Sequence, residues 1–154
     1  MRRVLWVLAG AAVAVAGCSG PGPTPPPTGD FVVSHGTSFG MCRGYCRTEL
    51  TLTDHTAELR EWGSDPEGYP DRTRSLELTE AEWDRLRSLV DPDVMEGIAG
   101  THGCPDCADG GAEWVELRRP AGPALRATFE FGNPPEAIAE LQRELRRLRE
   151  RFPE

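Results

Sequence analysis

The chain has 154 residues, with 17 basic against 25 acidic side chains and a formal charge of −8. That length suits one domain and excludes an enzyme built from separate cofactor and substrate halves. Every basic residue is Arg, and an acidic chain without a clustered basic face is not built to neutralise nucleic-acid phosphates, so no nucleic-acid partner is expected.

Met1-Arg2-Arg3 is a short positive segment, followed by an apolar run over residues 4–16. Thirteen residues are too few to cross a hydrocarbon core about 30 Å thick as a helix, so the pattern predicts a signal peptide over residues 1–17. Val15-Ala16-Gly17-Cys18 closes the run and resembles the lipobox of bacterial lipoproteins. The resemblance implies cleavage before Cys18 and acylation of its sulfur and new N-terminus. Palmitate-type chains then hold the protein to a membrane, each buried methylene contributing about 0.8 kcal/mol. Removing residues 1–17 takes away two Arg and leaves a charge of −10. Anionic lipid would not attract such a chain, so the anchor must be Cys18.

Residues 19–30 read S-G-P-G-P-T-P-P-P-T-G-D, without a large apolar side chain. Such a Pro/Gly-rich segment favours extended polyproline II and reaches roughly 35 Å. Residues 18–30 are therefore a lipidated tether, and residues 31–154 a single domain.

Residues 31–33 predict a short opening strand. Cys46, Thr48, Leu50 and Leu52 alternate with polar neighbours over residues 45–53, the period-2 pattern of a half-buried strand. Asp54-His55 predicts a tight turn into a second strand over residues 56–62. Residues 63–71 are turn chemistry, and a weak strand is expected over residues 74–78. Thr79-Glu80-Ala81-Glu82 is a capping box. Trp83, Leu86, Leu89 and Val90 then share one helical stripe, which Asp91-Pro92-Asp93 is expected to end. Strands follow over residues 112–119 and 124–131, with Leu125, Ala127, Phe129 and Phe131 expected to face inward. Asn133 and Pro134 predict the start of a final helix whose core stripe is Ile138, Leu141, Leu145, Leu148 and Phe152. The fold class is α+β: a two-layer antiparallel sheet with two helices packed on one face.

The domain holds two cysteine pairs, Cys42-x-x-x-Cys46 and Cys104-x-x-Cys107. In an exported chain an even number of cysteines reads first as two disulfides, with three possible connectivities. A bridge within a pair is worth about 2 kcal/mol and a crossed one about 4, although close spacing keeps each pair within reach in any fold. An alternative is a zinc site with four thiolates, to which His102 would add a further candidate ligand. A third reading is redox, because Cys104-Pro105-Asp106-Cys107 has thioredoxin-like spacing, although no helical sequence follows it. Asp106, Asp109 and Glu113 lie near Gly110-Gly111 but lack the oxygen spacing of a calcium loop, so turn formation is the better reading. No G-x-S-x-G elbow, P-loop or H-E-x-x-H occurs, and no catalytic residue is assigned.

The stretches from Gly36 to Cys46 and from Gly103 to Trp114 contain S-F-G-M-C-R-G-Y-C and G-C-P-D-C-A-D-G-G-A-E-W. Together they resemble a group of uncharacterised bacterial envelope lipoproteins, a domain of unknown function. The resemblance implies export and a paired-cysteine domain, and brings no activity with it. The expectation is a lipid-anchored, non-catalytic domain at the cell or outer membrane, facing periplasm or exterior. Its role would be to bind or scaffold an envelope protein or a small ligand, without a cofactor. The alternative is a thiolate zinc or thiol-redox protein using the four domain cysteines.

Overall fold

A computed structural model describes residues 31–153. The signal peptide over residues 1–17, the tether over residues 18–30 and the lipidation site Cys18 lie outside the described residues. Seven strands form one mixed sheet: β1 (Val32–Ser38), β2 (Tyr45–Thr53), β3 (Thr56–Gly63), β4 (Arg72–Glu77), β5 (Gly100–Thr101), β6 (Ala112–Arg118) and β7 (Leu125–Glu130). Their order is β4-β3-β2-β1-β6-β7-β5. All neighbours are antiparallel except the short β5, which runs parallel to β7. Three helices complete the α+β fold: α1 (Glu80–Leu89), α2 (Pro92–Gly97) and α3 (Ala139–Arg149).

Local chemistry accounts for most boundaries. Asp54 and His55 take φ of 41° and 68°, the mirror-type turn whose twist matches its flanking strands. At the start of α1, Glu82 N–H donates to Thr79 Oγ1 at 3.3 Å and Thr79 N–H donates to the Glu82 carboxylate at 2.9 Å. Asp91-Pro92-Asp93 ends α1 as expected, and it also begins α2, which the sequence reading did not foresee. Asp91 Oδ1 accepts from the N–H groups of Asp93 and Val94, and Pro92 supplies a first-turn φ.

Three expectations change. The opening strand is not three residues but seven, and it lies at the centre of the sheet between β2 and β6. Asn133 does not cap the final helix: its side chain donates to Glu130, a 3-10 turn spans Glu136–Ile138, and α3 begins at Ala139. Two adjacent prolines at 134 and 135 hold residue 134 extended, which delays the helix. Phe131 lies beyond the end of β7 and is 39% exposed rather than inward.

The strand register sorts the core-facing side chains into three rows. The first runs Leu76, Ala57, Leu52, Val33, Leu117, Leu125 from β4 to β7. The second runs Arg74, Leu59, Leu50, His35, Val115, Ala127, and the third Arg72, Glu61, Thr48, Thr37, Glu113, Phe129. The first two rows, with few exceptions, join Trp83, Leu86, Met95, Leu141, Leu145 and Leu148 in one hydrophobic cluster. Each fully buried Leu there contributes about 1.5–3 kcal/mol. The third row is almost wholly polar.

The opposite side of the sheet carries a ladder of arginines and tryptophans. Arg60 and Arg47 lie 4.8 and 4.5 Å from the Trp62 ring, and Arg47 and Arg126 lie 5.6 and 5.1 Å from the Trp114 ring. Trp114 is only 5% exposed because its indole lies against Gly36 of β1. A Cβ at position 36 would overlap that ring, which is why glycine stands in the central strand.

Candidate functional site

The polar third row sits at the end of the sheet where both cysteine loops emerge. Cys42–Cys46 and Cys104–Cys107 are disulfides within each pair, both with Cα atoms 5.5 Å apart. The first loop joins β1 to β2, and the second precedes β6. The two loops meet. The Phe39 ring packs on Gly111 and makes an edge-on contact with Phe131 at 5.0 Å, and Gly40 lies beside the Asp106 carboxylate. The backbone supports this convergence: Phe39 N–H donates to Cys46 O, and Phe131 N–H and Asp106 N–H both donate to Gly111 O. Gly111 has φ of 84° and the Phe39 ring occupies the place of a Cβ, so only glycine fits.

Beneath the loops lies a buried polar network. His35 and Glu113 are both fully buried, with Nε2 and Oε1 2.6 Å apart. Gln142 of α3 donates to Glu113 Oε1 at 2.6 Å, and Gly132 N–H donates to Glu113 Oε2 at 2.9 Å. Arg146 Nε stands 3.6 Å from Oε1. Burial opposes ionisation of Glu113, but the hydrogen bonds from His35, Gly132 and Gln142 outweigh it and bring its pKa down to about 2. Burial likewise holds His35 below the ordinary histidine range, against the pull of Glu113. The neutral ring then donates from Nε2, and Nδ1, which has no partner among the described residues, is left as an acceptor. Protonation would instead bury a second, unanswered N–H.

Beside this network is a cavity of about 490 Å³ whose polar lining includes Thr37, Thr48, Glu61, Arg72, Arg74 and Arg149. Phe39 and Tyr45 from the first cysteine loop and its edge also line it. Arg72 Nε and Arg74 donate to Glu61 Oε2, each at 2.6 Å. Burial raises the Glu61 pKa, but these hydrogen bonds prevail and hold the carboxyl below the usual range. The Arg72 guanidinium stacks 4.2 Å above the Tyr45 ring. Arg149, near the end of α3, donates to Thr48 Oγ1 at 3.2 Å, and Thr48 bonds Thr37 at 2.9 Å. Burial and the neighbouring Arg146 lower the Arg149 pKa, against the weaker pull of Glu113, Glu150 and Glu61, none of which is in ion-pair contact with it among the described residues. Among the described residues, the cavity lining holds three guanidinium groups and one carboxylate.

The residues singled out from the sequence fall into place unevenly. Cys42, Cys46, Cys104 and Cys107 come to one end of the sheet as two couples. His102 Nε2 is 2.7 Å from the Ile98 carbonyl and is spent on that contact. Among the described residues, no three His, Cys, Asp or Glu side chains are grouped to hold a metal ion. The segment after Cys107 is a 3-10 turn with Ala108 at φ of 53°, so no helix N-terminus faces Cys107 to lower a thiol pKa. Glu113 points into the core toward His35, away from any cation loop with Asp106 and Asp109. The sequence reading missed Glu61, Arg72, Arg74 and Arg149. The available signal was an Arg-x-Arg pair opposite a Glu on the inward parity of adjacent strands, and it becomes visible only once the register is known.

No family model and no curated protein matches the chain. Among the described residues, no helix is long and apolar enough to cross a membrane.

Proposed function

We propose that this chain is a lipid-anchored bacterial envelope protein whose domain is a non-catalytic binding module, with its binding surface at the disulfide end of the sheet. The observation that carries the binding surface is the convergence of both cysteine loops beside the arginine-lined cavity. Binding groups concentrate on loops and sheet ends held by a rigid scaffold, and two short disulfides hold these. The lipobox-like Val15-Ala16-Gly17-Cys18 and the blocks resembling envelope lipoproteins support anchoring and export. Oxidised pairs suit an oxidising compartment. The sealed His35 is turned to Glu113 and away from any substrate, and the thiols are paired, which favours binding over catalysis.

The finer architecture belongs to the same reading: two layers, with α1 and α3 on one face of the sheet. The shared cluster of Trp83, Leu86, Leu141 and Leu145 with the inward rows supports it. The Arg–Trp ladder then forms the other face.

Replacing Cys18 with Ser in the producing bacterium tests the anchor. Wild-type chain should sediment with membranes and incorporate labelled palmitate, whereas Cys18→Ser should lose the label and retain its leader. Equal palmitate labelling of the two chains would overturn the lipoprotein reading.

A further inference from the structure

The cavity at the polar end has a chemistry of its own. Arg149 is held half-buried by the last turn of α3, and its only described polar partner is the Thr48 hydroxyl. None of the described carboxylates pairs with it. Arg74 also lines the cavity, and its Nε–H is buried without an acceptor. Glu61 is not directed at Arg149: it shares its two oxygens between Arg72 and Arg74. Burying an arginine without a carboxylate costs stability, and Arg presents a planar fork of donors suited to carboxylate and phosphate oxygens. Thr37 and Thr48 add hydroxyls on the floor, and Tyr45 and Glu61 hold Arg72 in place.

We propose that this cavity binds an oxyanion, a phosphoryl or carboxylate group presented by a ligand, with Arg149 as its principal donor and Arg74 and Thr48 beside it. This names the ligand chemistry of the binding module inferred above and rests on that reading only for the site's place. Anchoring is read from membrane fractions, so the two ideas fail separately.

The test is calorimetric titration of the full chain in detergent at fixed ionic strength. Inorganic phosphate is the probe in one arm and succinate in the other. At least one should bind saturably at one site per chain, and the preferred probe tells phosphoryl from carboxylate ligands. Arg149→Met should weaken that binding by about tenfold or more, and Arg149→Lys should recover part of it. Arg143→Met, an exposed change on the same helix, should leave it unaltered. Circular dichroism checks the fold of each variant, and Thr48→Val serves as the second probe of the site if Arg149→Met does not fold. Glu154→Gln, at the residue after the cavity-lining Pro153, checks that this side chain does not supply the acid itself. The proposal is overturned if neither probe saturates by about 10 mM. It is equally overturned if Arg143→Met weakens binding as much as Arg149→Met, or if binding appears only in Glu154→Gln.

Discussion

The two ends of the sheet's core-facing side obey different rules, although the same strands build both. Near the Asp54-His55 turn, β4, β3, β2, β1, β6 and β7 contribute Leu76, Ala57, Leu52, Val33, Leu117 and Leu125. Four residues further along each strand, with the same inward parity, the first five contribute Arg72, Glu61, Thr48, Thr37 and Glu113. Apolar burial alone explains the first set. The second must answer each buried donor and acceptor with a partner, which costs desolvation and brings little net stability. A fold that needed only a core would have continued the apolar row. Its replacement by polar groups, below two disulfide-held loops, is the contrast on which the proposed binding site rests.

The largest effect is expected at Glu113. Glu113→Ala strands His35 Nε2, Gln142 Nε2 and the Gly132 N–H together, and should cost about 3–5 kcal/mol in denaturant unfolding. Glu113→Gln retains the shape and should recover part of that loss. A cost below about 1 kcal/mol for the alanine variant would mean that the polar end is not energetically coupled as a network.

Acid should separate the two ends next. Glu113 titrates near pH 2 in the folded chain against about 4.5 unfolded, so its stabilisation is present above pH 4.5 and is lost as pH falls toward 2. His35 is also depressed. Below pH 6.5 the unfolded chain takes up a proton that folded His35 refuses, and stability falls with pH. Urea midpoints should therefore decline from pH 7 to 5.5 and decline again below 4.5. The Glu113→Gln variant should show a shallower second decline, the remainder belonging to Glu61 and Glu82, whose carboxyls are also held below the usual range; an undiminished decline would show that Glu113 contributes nothing to it.

Much of this was legible in the sequence, and the illegible parts share a cause. Strands β2 and β3, their turn, the capping box of α1 and the α3 stripe are local patterns, and each is found where spacing placed it. Strand β1 was cut short because His35, Gly36 and Thr37 break the apolar alternation. His35 is buried only because Glu113, 78 residues away, answers it, and Gly36 is required only because Trp114 crosses it. The cavity was hidden for the same reason. The sequence predicts only a weak strand that starts at Arg74 and leaves Arg72 outside it, and Arg149 falls off the α3 core stripe; only the register and the docking of α3 bring them together. Helix α2 was missed because one Asp-Pro-Asp both stops a helix and starts another.

Smaller predictions sharpen the contrast from outside the polar row. Gly36→Ala forces the Trp114 indole off β1 on the opposite side of the sheet and should cost about 1–3 kcal/mol. Its effect should be on stability alone, with the Arg149 cavity unchanged in oxyanion binding. Thr79→Ala removes the α1 cap at the apolar end and should cost about 1 kcal/mol, read as a small drop in thermal midpoint.

The most direct measurement is an amide chemical-shift map of the full chain in detergent as inorganic phosphate or succinate is added. The account predicts saturating shifts confined to the polar end, at Thr37, Thr48, Arg74 and Arg149 and the adjoining Cys42–Cys46 loop, with Val33, Leu52 and Leu117 unmoved. Shifts centred on the Arg–Trp ladder, or spread evenly over both ends, would contradict it.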